Sequence, residues 1–159
     1  MFAMNVRKAK TDDLPLLIAF DRNAHTDIVR QQEIKSAIVS GGCWVFAAEG
    51  RPVAYAILDQ NFFGHPRVRS LFVSPEARRK GAASLLIRHM ETVCGKDRVF
   101  IGCPSGNNEM INLLNKLDYQ CCGEIRGVSD FDTELVFIKH LAANQNPRAA
   151  ESMPLFAAQ

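Results

Sequence analysis

The chain of 159 residues is long enough for one domain with a single hydrophobic core. Its composition, 47% hydrophobic and 23% charged residues, excludes a chain that is disordered throughout. Nineteen basic and seventeen acidic residues give a net charge of +2, which is too balanced for a protein that mainly binds nucleic acid. No apolar run reaches about 18 residues, so neither a membrane-spanning helix nor a membrane partner is expected. The first ten residues also lack the apolar stretch of a signal peptide.

The cysteine pattern predicts reduced thiols. Five cysteines occur, an odd number, and two of them, Cys121 and Cys122, are adjacent. No C-x-x-C spacing is present, so neither a disulfide framework nor a metal site is supported. We therefore expect a cytoplasmic protein without a bound metal.

The first half of the chain predicts a strand, two helices and three strands. A short strand covers 4–8, and Thr11-Asp12-Asp13 then caps a helix that we expect to continue to about residue 23. A second helix covers 28–40 and ends at Gly41. Strands follow at 43–49 and 52–60, separated by a Gly-Arg turn. Residues 61–66 are expected to form a loop before the strand at 67–73.

The second half predicts a helix at 78–94, a strand at 98–103, a helix at 110–117 and strands at 119–127 and 133–141. Seven strands and four helices in this order predict one mixed α/β (α+β) domain over residues 1–141, with helices covering a central sheet. Residues 142–159 lack periodicity and are expected to form a flexible or docking tail.

A basic turn opens the third predicted helix and carries the clearest functional signal. It contains three cations followed by small residues, in the order Arg78, Arg79, Lys80, Gly81, Ala82, Ala83 and Ser84. Unpaired N–H groups and the positive end of the helix dipole attract anions at such a position. Small residues allow a ligand to approach the backbone, so the turn predicts a phosphate or pyrophosphate site. A solvated charge run is the alternative, while P-loop and G-x-G-x-x-G motifs are absent.

This turn and a second block resemble the GNAT superfamily of N-acetyltransferases. The pattern Arg78-x-x-Gly81-x-Ala83 matches the family's R/Q-x-x-G-x-G/A signature. The segment from Asn107 to Tyr119 resembles its N-x-x-x-I-x-L-Y-E-K-L-G-F block. The order of elements agrees across residues 4–141. The resemblance implies a single-domain fold with a mixed, mostly antiparallel sheet of about seven strands and about four flanking helices.

The resemblance also implies that acetyl-CoA is the co-substrate. Backbone N–H groups of residues 79–84 would hold its pyrophosphate, and the strand edge at Leu71, Phe72 and Val73 would pair with its pantetheine arm. That strand would diverge from the strand at 98–103, with the thioester in the opening. An N–H near Phe72 or Val73 would stabilise the oxyanion. Asn107 would contact the cofactor, or else serve only as a helix cap.

Two positions depart from the family pattern. The usual general-acid tyrosine is replaced by Leu114, and the usual glutamate before the signature is replaced by Arg69. An amine acceptor still requires a base, because it arrives protonated. The candidates for catalysis are Glu33, Cys103 and Glu134, with Asp59, Asp130 and Asp132 as further carboxylates. A solvated surface charge, or a small buried hydrophobe for Cys103, is the competing interpretation.

The resemblance leads to an acetyl-CoA-dependent N-acetyltransferase acting on a primary amine of a small molecule or peptide, by direct attack in a ternary complex. A homodimer is a further expectation. Phe62, Phe63 and His65 are candidates for the wall of the acceptor site or for the core. His25 is a candidate acceptor contact or an incidental loop residue. Trp44 is expected in the core. The alternative function is a non-catalytic acyl-CoA-binding sensor or scaffold. A nucleic-acid binder fits less well, because no aromatic stacking platform accompanies the cations.

Overall fold

The computed structural model describes residues 4–142, which form seven strands and four α-helices. The strands are β1 (Met4–Lys8), β2 (Cys43–Ala48), β3 (Arg51–Phe62), β4 (His65–Val73), β5 (Arg98–Pro104), β6 (Gln120–Ile125) and β7 (Glu134–His140). The helices are α1 (Leu14–Phe20), α2 (Ile28–Ser40), α3 (Ala82–Val93) and α4 (Asn108–Lys116). The predicted fold class is confirmed.

All seven strands belong to one mixed sheet in the order β1-β2-β3-β4-β5-β7-β6. Five neighbouring pairs are antiparallel, and only β4 and β5 run parallel. The connection from β4 to β5 passes through α3, as a parallel pair requires. The single parallel pair therefore divides the sheet into two antiparallel halves.

The helices cover the two faces of this sheet unequally. Alternate strand residues face α3 and α4, where the larger core includes Val68, Leu86, Met90, Ile101 and Phe137. The opposite face of β2 and β3 packs on α1 and α2 through a smaller core, which includes Leu17, Ile34, Val45, Tyr55 and Ile57. On that second face, the half of the sheet formed by β5, β7 and β6 presents Phe100, Gly102, Glu134 and Val136 to a cleft.

The first predicted helix ends earlier than expected. The α-helix stops at Phe20, because Asp21 adopts an extended conformation with φ −87° and ψ 93°. The Asp21 carboxylate is fully buried. It accepts hydrogen bonds from the Tyr55 hydroxyl at 2.6 Å, from Arg30 Nε at 2.6 Å and from the backbone N–H of Asn23 at 3.0 Å. These contacts interrupt the helix, and a separate single turn, Arg22–Ala24, follows.

The loop expected at 61–66 is wrong. Strand β3 continues to Phe62, β4 begins at His65, and the two-residue turn Phe63-Gly64 joins them. Both turn residues have positive φ, 53° and 78°, as a tight hairpin turn with right-handed strand twist requires. Phe62 packs on Phe100 with ring centroids 5.0 Å apart, and this contact stabilises the longer hairpin. The expected tail falls almost entirely on residues 143–159, outside the described part of the chain.

Candidate active site

The central feature of the site is the divergence of β4 from β5. Their parallel pairing is limited to Arg67 with Phe100 and Val68 with Ile101, although both strands continue for several residues. The register between β3 and β4 shifts at this point, because Ile57 pairs with Ser70 while Leu58 pairs with Val68. Arg69 is thus the extra residue of a β-bulge, which bends the strand. Among residues 4–142, the segment 69–73 beyond the bulge has no sheet partner on the β5 side.

Side chains beyond the bulge point to both faces of the sheet. Leu71 and Val73 pack against the core beneath α3, while Phe72 stacks on Phe20 of α1 with ring centroids 6.2 Å apart. The strand is therefore held by its side chains on both faces. Its backbone edge remains available to hydrogen-bond an extended, amide-bearing ligand.

Helix α3 begins with exposed backbone donors at the end of this strand edge. The helix starts at Ala82, later than the sequence pattern indicated, because Arg79 and Gly81 have positive φ values of 60° and 82°. No side chain caps the helix, and the N–H of Leu85 makes its first backbone bond, to Gly81 O at 3.0 Å. The preceding N–H groups, including those of Ala83 and Ser84, point out of the first turn.

The basic turn is open to ligand approach. A Cβ added at Gly81 would meet no atom within 4 Å. Arg78, Arg79 and Lys80 are exposed and form no ion pair with any residue between 4 and 142. Arg78 Nε donates to Val73 O at 3.3 Å, and its guanidinium lies 5.7 Å from the Phe72 ring centroid. Arg78 therefore links the divergent strand to the helix start.

A small cleft of about 60 Å³ lies across the sheet from α3, beside the bulge. Its apolar wall is formed by four residues: Phe62, Phe100, Ile125 and Val136. Three charged residues, Arg67, Arg69 and Glu134, complete the lining together with Gly102. Arg69 and Gly102 flank the divergence of the two strands, so the cleft opens onto it.

Glu134 is the carboxylate best placed in this cleft. Its side chain is half-buried and makes no hydrogen bond or ion pair within the described residues. Burial raises the pKa of Glu134, Arg67 opposes this increase, and Asp132 adds to it. Asp132 itself accepts a hydrogen bond from Ser105 Oγ at 3.1 Å. A carboxyl group with a raised pKa and no partner is suited to take up a proton.

Glu33 occupies a different environment. It forms an ion pair with Arg69, the bulge residue that stands where the family usually has a glutamate. Both side chains are about one-third exposed, at 33% and 36%. The pair connects α2 to β4 at the edge of the cleft. Glu33 is thus engaged with a cation, whereas Glu134 is not.

Cys103 lies on the face opposite the cleft. It is only 3% exposed and packs in the core beneath α3 and α4. Burial, with nearby Glu134 and Cys121, raises the pKa of the Cys103 thiol to about 11, so it is protonated at neutral pH. Leu114 is fully buried in the same core. These positions favour the buried-hydrophobe interpretation of Cys103 over a nucleophilic role.

Both tyrosines of the chain lie away from the cleft. The Tyr55 hydroxyl donates to Asp21, and the Tyr119 hydroxyl donates to Glu91 Oε1 at 3.0 Å. Burial and these carboxylate partners raise the pKa of each phenol above its usual value. Tyr119 therefore does not substitute for the general-acid tyrosine that is absent at position 114.

Asn107 forms the N-cap of α4, with its side-chain oxygen accepting from the backbone N–H of Met110 at 3.2 Å. The capping role is thus present in the structure. The side chain is exposed beside the end of β5, and its amide NH₂ makes no hydrogen bond within residues 4–142. Asn107 can still donate to a ligand in the divergence.

The remaining candidate residues have varied surroundings. Asp59 pairs with Arg67 at 3.0 Å, His65 packs near Phe100, and His25 Nε2 is 2.8 Å from Ala19 O. Phe63 is 88% exposed at the turn tip. Asp130 is exposed on the segment before β7. Trp44 is partly buried and packs on His89, with ring centroids 4.6 Å apart.

Sequence reasoning missed Arg67 as a site residue, along with Phe100, Gly102, Ile125 and Val136. The spacing of Arg67 and Arg69 held a usable signal, because residues two apart on a strand share a face. The apolar members carried no such signal. Alternation predicts which of them share a face, but not that one half of that face lacks a covering helix.

The family assignment now follows from comparison with known proteins. The model of the acetyltransferase (GNAT) family matches residues 10–119. This chain belongs to the GNAT family. The match spans the divergent strands and the basic turn, and the chain is accordingly a GNAT-family N-acetyltransferase, as the resemblance in its motifs implied.

Solved structures agree with this assignment. A GNAT-family acetyltransferase from Bacillus cereus has a TM-score of 0.81 at 26% identity, covering 89% of this chain and 99% of its own. The yncA protein of Salmonella typhimurium, solved with its cofactor acetyl-CoA, has a TM-score of 0.70 at 19% identity, covering 91% and 98%. The ribosomal-protein-S18-alanine N-acetyltransferase of Escherichia coli has a TM-score of 0.75 at 17% identity, covering 91% and 98%. No curated protein matches this sequence.

None of the helices within residues 4–142 combines the length and apolar character needed to cross a membrane. The same residues include no group of three or more histidine, cysteine or acidic side chains placed to hold a metal ion.

Proposed function

We propose that this GNAT protein transfers the acetyl group of acetyl-CoA to a primary amine by direct attack in a ternary complex. The observation that carries the proposal is the position of Glu134. Its unpaired carboxylate faces a cleft that opens onto the divergence of β4 and β5. The carboxylate of Glu134 lies on one face of the sheet, and the proposed pyrophosphate site at the start of α3 lies on the other face. The divergence of β4 and β5 connects the two.

The residues present fit acetyl-CoA. The uncapped N-terminus of α3 supplies N–H donors and a positive dipole end for the pyrophosphate, with Arg78, Arg79 and Lys80 beside it. The free edge of residues 71–73 would pair with the amides of the pantetheine arm. Asn107 would donate from the opposite side of the divergence. A cofactor held by these groups would carry its thioester into the divergence of β4 and β5, next to Gly102 and the cleft.

Glu134 serves as the general base in this mechanism. The acceptor arrives as an ammonium ion because its pKa is about 10, and Glu134 takes up one proton from it. The amine nitrogen then bonds to the thioester carbonyl carbon, while a backbone N–H near Phe72 or Val73 stabilises the oxyanion. Collapse breaks the C–S bond and releases the CoA thiolate, which takes the second proton of the nitrogen through solvent.

The leaving group compensates for the missing tyrosine. A thiol with a pKa of about 8.5, by analogy with cysteine, leaves readily as a thiolate near neutral pH. Protonation by a dedicated acid is therefore less critical than deprotonation of the amine. Cys103, which is buried and protonated, takes no part in this direct transfer.

The experiment is a thiol-release assay with acetyl-CoA and a panel of small amines, amino acids and peptides. The expected result is CoA release with at least one acceptor, together with acetyl-CoA-dependent thermal stabilisation. Stabilisation without release for any acceptor would favour the non-catalytic acyl-CoA sensor. Absence of both would contradict the cofactor site itself.

We extend the proposal to a cytoplasmic homodimer. Strand β6 forms one edge of the sheet, and all six of its residues are exposed. An open strand edge offers unpaired backbone groups to a second copy. Light scattering of the purified protein measures the mass directly, and a monomer at micromolar concentration would contradict this part.

A further inference from the structure

The cleft beside the bulge contains opposite charges that do not pair with each other. Arg67 and Glu134 both line it, yet neither a hydrogen bond nor an ion pair joins them within the described residues. The shared cleft brings the two groups close together, and burial raises the pKa of Glu134 while the positive charge of Arg67 opposes this increase. A ligand with one positive and one negative group would satisfy both.

The guanidinium of Arg67 uses only part of its hydrogen-bonding capacity. Its Nη2 donates to Asp59 Oδ2 at 3.0 Å, and Asp59 Oδ1 is occupied by the backbone N–H of Asn61 at 2.9 Å. The Nε of Arg67 is buried without a hydrogen-bond partner among residues 4–142. Nη1 makes no hydrogen bond among residues 4–142 and is not fully buried, so it is the Arg67 donor that a ligand oxygen can reach. A guanidinium binds a carboxylate with paired N–H groups.

Arg69 contributes less to such recognition. Its guanidinium is engaged by Glu33, which neutralises it at the edge of the cleft. Arg67 is also paired, but through one side only, and its guanidinium lies 5.3 Å from the Phe62 ring centroid. Arg67 is therefore the cation lining the cleft that keeps a terminal donor, Nη1, available to a ligand.

The size of the cleft limits which part of a ligand it can enclose. About 60 Å³ accommodates roughly four to six water molecules. That space suits an amino group, one carbon and a carboxylate, but no larger body. The apolar side chains of Phe62, Phe100, Ile125 and Val136 then form a wall that leads outward. Ile125 is 40% exposed, which places that end of the wall at the surface.

We infer that the acceptor is a free α-amino acid with an apolar, preferably aromatic, side chain. Its ammonium group would face Glu134, its carboxylate would bind Arg67, and its side chain would lie on the Phe62–Phe100 wall. This inference rests on the proposed function, since it concerns the acceptor of the same transfer. Simple amines supply no oxygen for Arg67, and acidic side chains would face the apolar wall.

The test compares L-phenylalanine with phenethylamine, which has the same ring and amine but no carboxylate. CoA release is measured for wild type, for Arg67→Gln and for Arg67→Lys. The expected preference for L-phenylalanine in kcat/KM is about 10- to 100-fold, as for loss of a charge-assisted hydrogen-bond partner. Arg67→Gln raises KM for L-phenylalanine by a similar factor and raises KM for phenethylamine much less. Arg67→Lys recovers part of the loss.

Arg98→Gln is the matched control, because Arg98 is also a strand arginine paired with an aspartate, Asp97, at 3.0 Å. It lies outside the cleft and is expected to behave as wild type. Equal or better turnover of phenethylamine would overturn the inference. An equal KM increase for both acceptors in Arg67→Gln would also overturn it, and thermal unfolding of each variant identifies a general folding defect.

A binding measurement separates this inference from the proposed function. Calorimetry with L-phenylalanine in the presence of CoA needs no chemistry. If L-phenylalanine binds, and Arg67→Gln weakens this binding while Arg98→Gln preserves it, the acceptor class is supported. If, in addition, no acceptor releases CoA, only the proposed reaction is contradicted. No detectable binding of L-phenylalanine at millimolar concentration, while another amine releases CoA, overturns the inference and retains the reaction.

Discussion

The carboxylate of Glu134 lies directly over the backbone of Gly102. A Cβ built at Gly102 would be 2.8 Å from Glu134 Oε1, closer than side-chain atoms normally approach. Gly102 and Glu134 belong to the adjacent strands β5 and β7 and point to the same face. The missing side chain at position 102 thus makes room for the carboxylate at the point where β4 and β5 diverge.

Gly102→Ala should lower kcat by displacing Glu134 while leaving the fold intact. The displaced atoms are the end of a flexible side chain, so the stability cost is small, about 1 kcal/mol or less. A shift of the base by about 1 Å can reduce the rate by about 100-fold. Gly123→Ala is the control, since a Cβ on that β6 glycine meets nothing within 4 Å. Steady-state kinetics of both variants, with unfolding midpoints, decide the matter, and wild-type kcat in Gly102→Ala would contradict this role of the glycine.

Glu134→Gln should remove general-base catalysis and lower kcat by about 10²- to 10⁴-fold. Because burial raises the pKa of Glu134, its charged form is disfavoured in the folded state relative to the unfolded chain. The neutral glutamine should therefore maintain or raise the thermal midpoint at neutral pH. A loss of both activity and stability would point to a structural role. Glu33→Gln, which breaks the ion pair with Arg69, should retain most of the activity.

The wild-type pH profile should show an acidic limb set by Glu134. Activity needs the deprotonated carboxylate, so kcat falls as the pH drops through its pKa, which lies above the usual value of 4.5. The groups that face this carboxyl are Arg67, which lowers the pKa, and Asp132, which raises it. Asp132→Asn should therefore shift the limb to lower pH. An unchanged limb in Glu134→Gln would assign it to another group.

Arg78→Glu should weaken acetyl-CoA binding by about 10- to 100-fold, since it replaces a cation beside the pyrophosphate cradle with an anion. Arg88→Glu on the exposed side of the same helix is the control for net charge. Calorimetry in low and moderate salt measures both, because the electrostatic part of binding weakens with ionic strength. Equal affinity in the two variants would argue against a cofactor contact at Arg78.

Tyr55→Phe should destabilise the protein by about 1–3 kcal/mol, the cost of leaving a buried polar group with one partner fewer. The Asp21 carboxylate is fully buried and would keep only Arg30 and the Asn23 N–H. Tyr119→Phe is the comparison, because Glu91 keeps Lys139 at 3.1 Å and is partly exposed. Denaturant titration of both variants should show the larger loss at Tyr55, with acetyl-CoA binding unchanged.

The cofactor half of the site could be predicted from local sequence. A basic turn with small residues after a strand specifies exposed N–H groups at a helix start, and neighbouring residues suffice for that. The start of the helix itself was misplaced by four residues. Positive φ at Arg79 and Gly81 depends on how the turn docks beside β4, and no local pattern reveals it.

The acceptor half could be predicted only in part. Glu134 was one of several carboxylates, and its sequence surroundings do not distinguish it from Glu33, Asp59 or Asp132. What distinguishes Glu134 is that no hydrogen-bond or ion-pair partner occurs among residues 4–142, and such partners come from elements far apart in the chain. Glu33 forms an ion pair with Arg69, which lies 36 residues away in the sequence. Asp59 forms an ion pair with Arg67 across the β3–β4 hairpin.

The sequence by itself determined one small domain and its strand and helix order, and it predicts a local anion site despite a net charge of only +2. These features depend on the spacing of residues within single helices, strands and turns, so they can be predicted from periodicity and capping patterns. Only the tertiary structure decided where β4 leaves β5, because the bulge at Arg69 arises from pairing with β3. It also decided that Arg67, Gly102 and Glu134 meet in one cleft, since three strands separated in sequence must assemble before those side chains become neighbours.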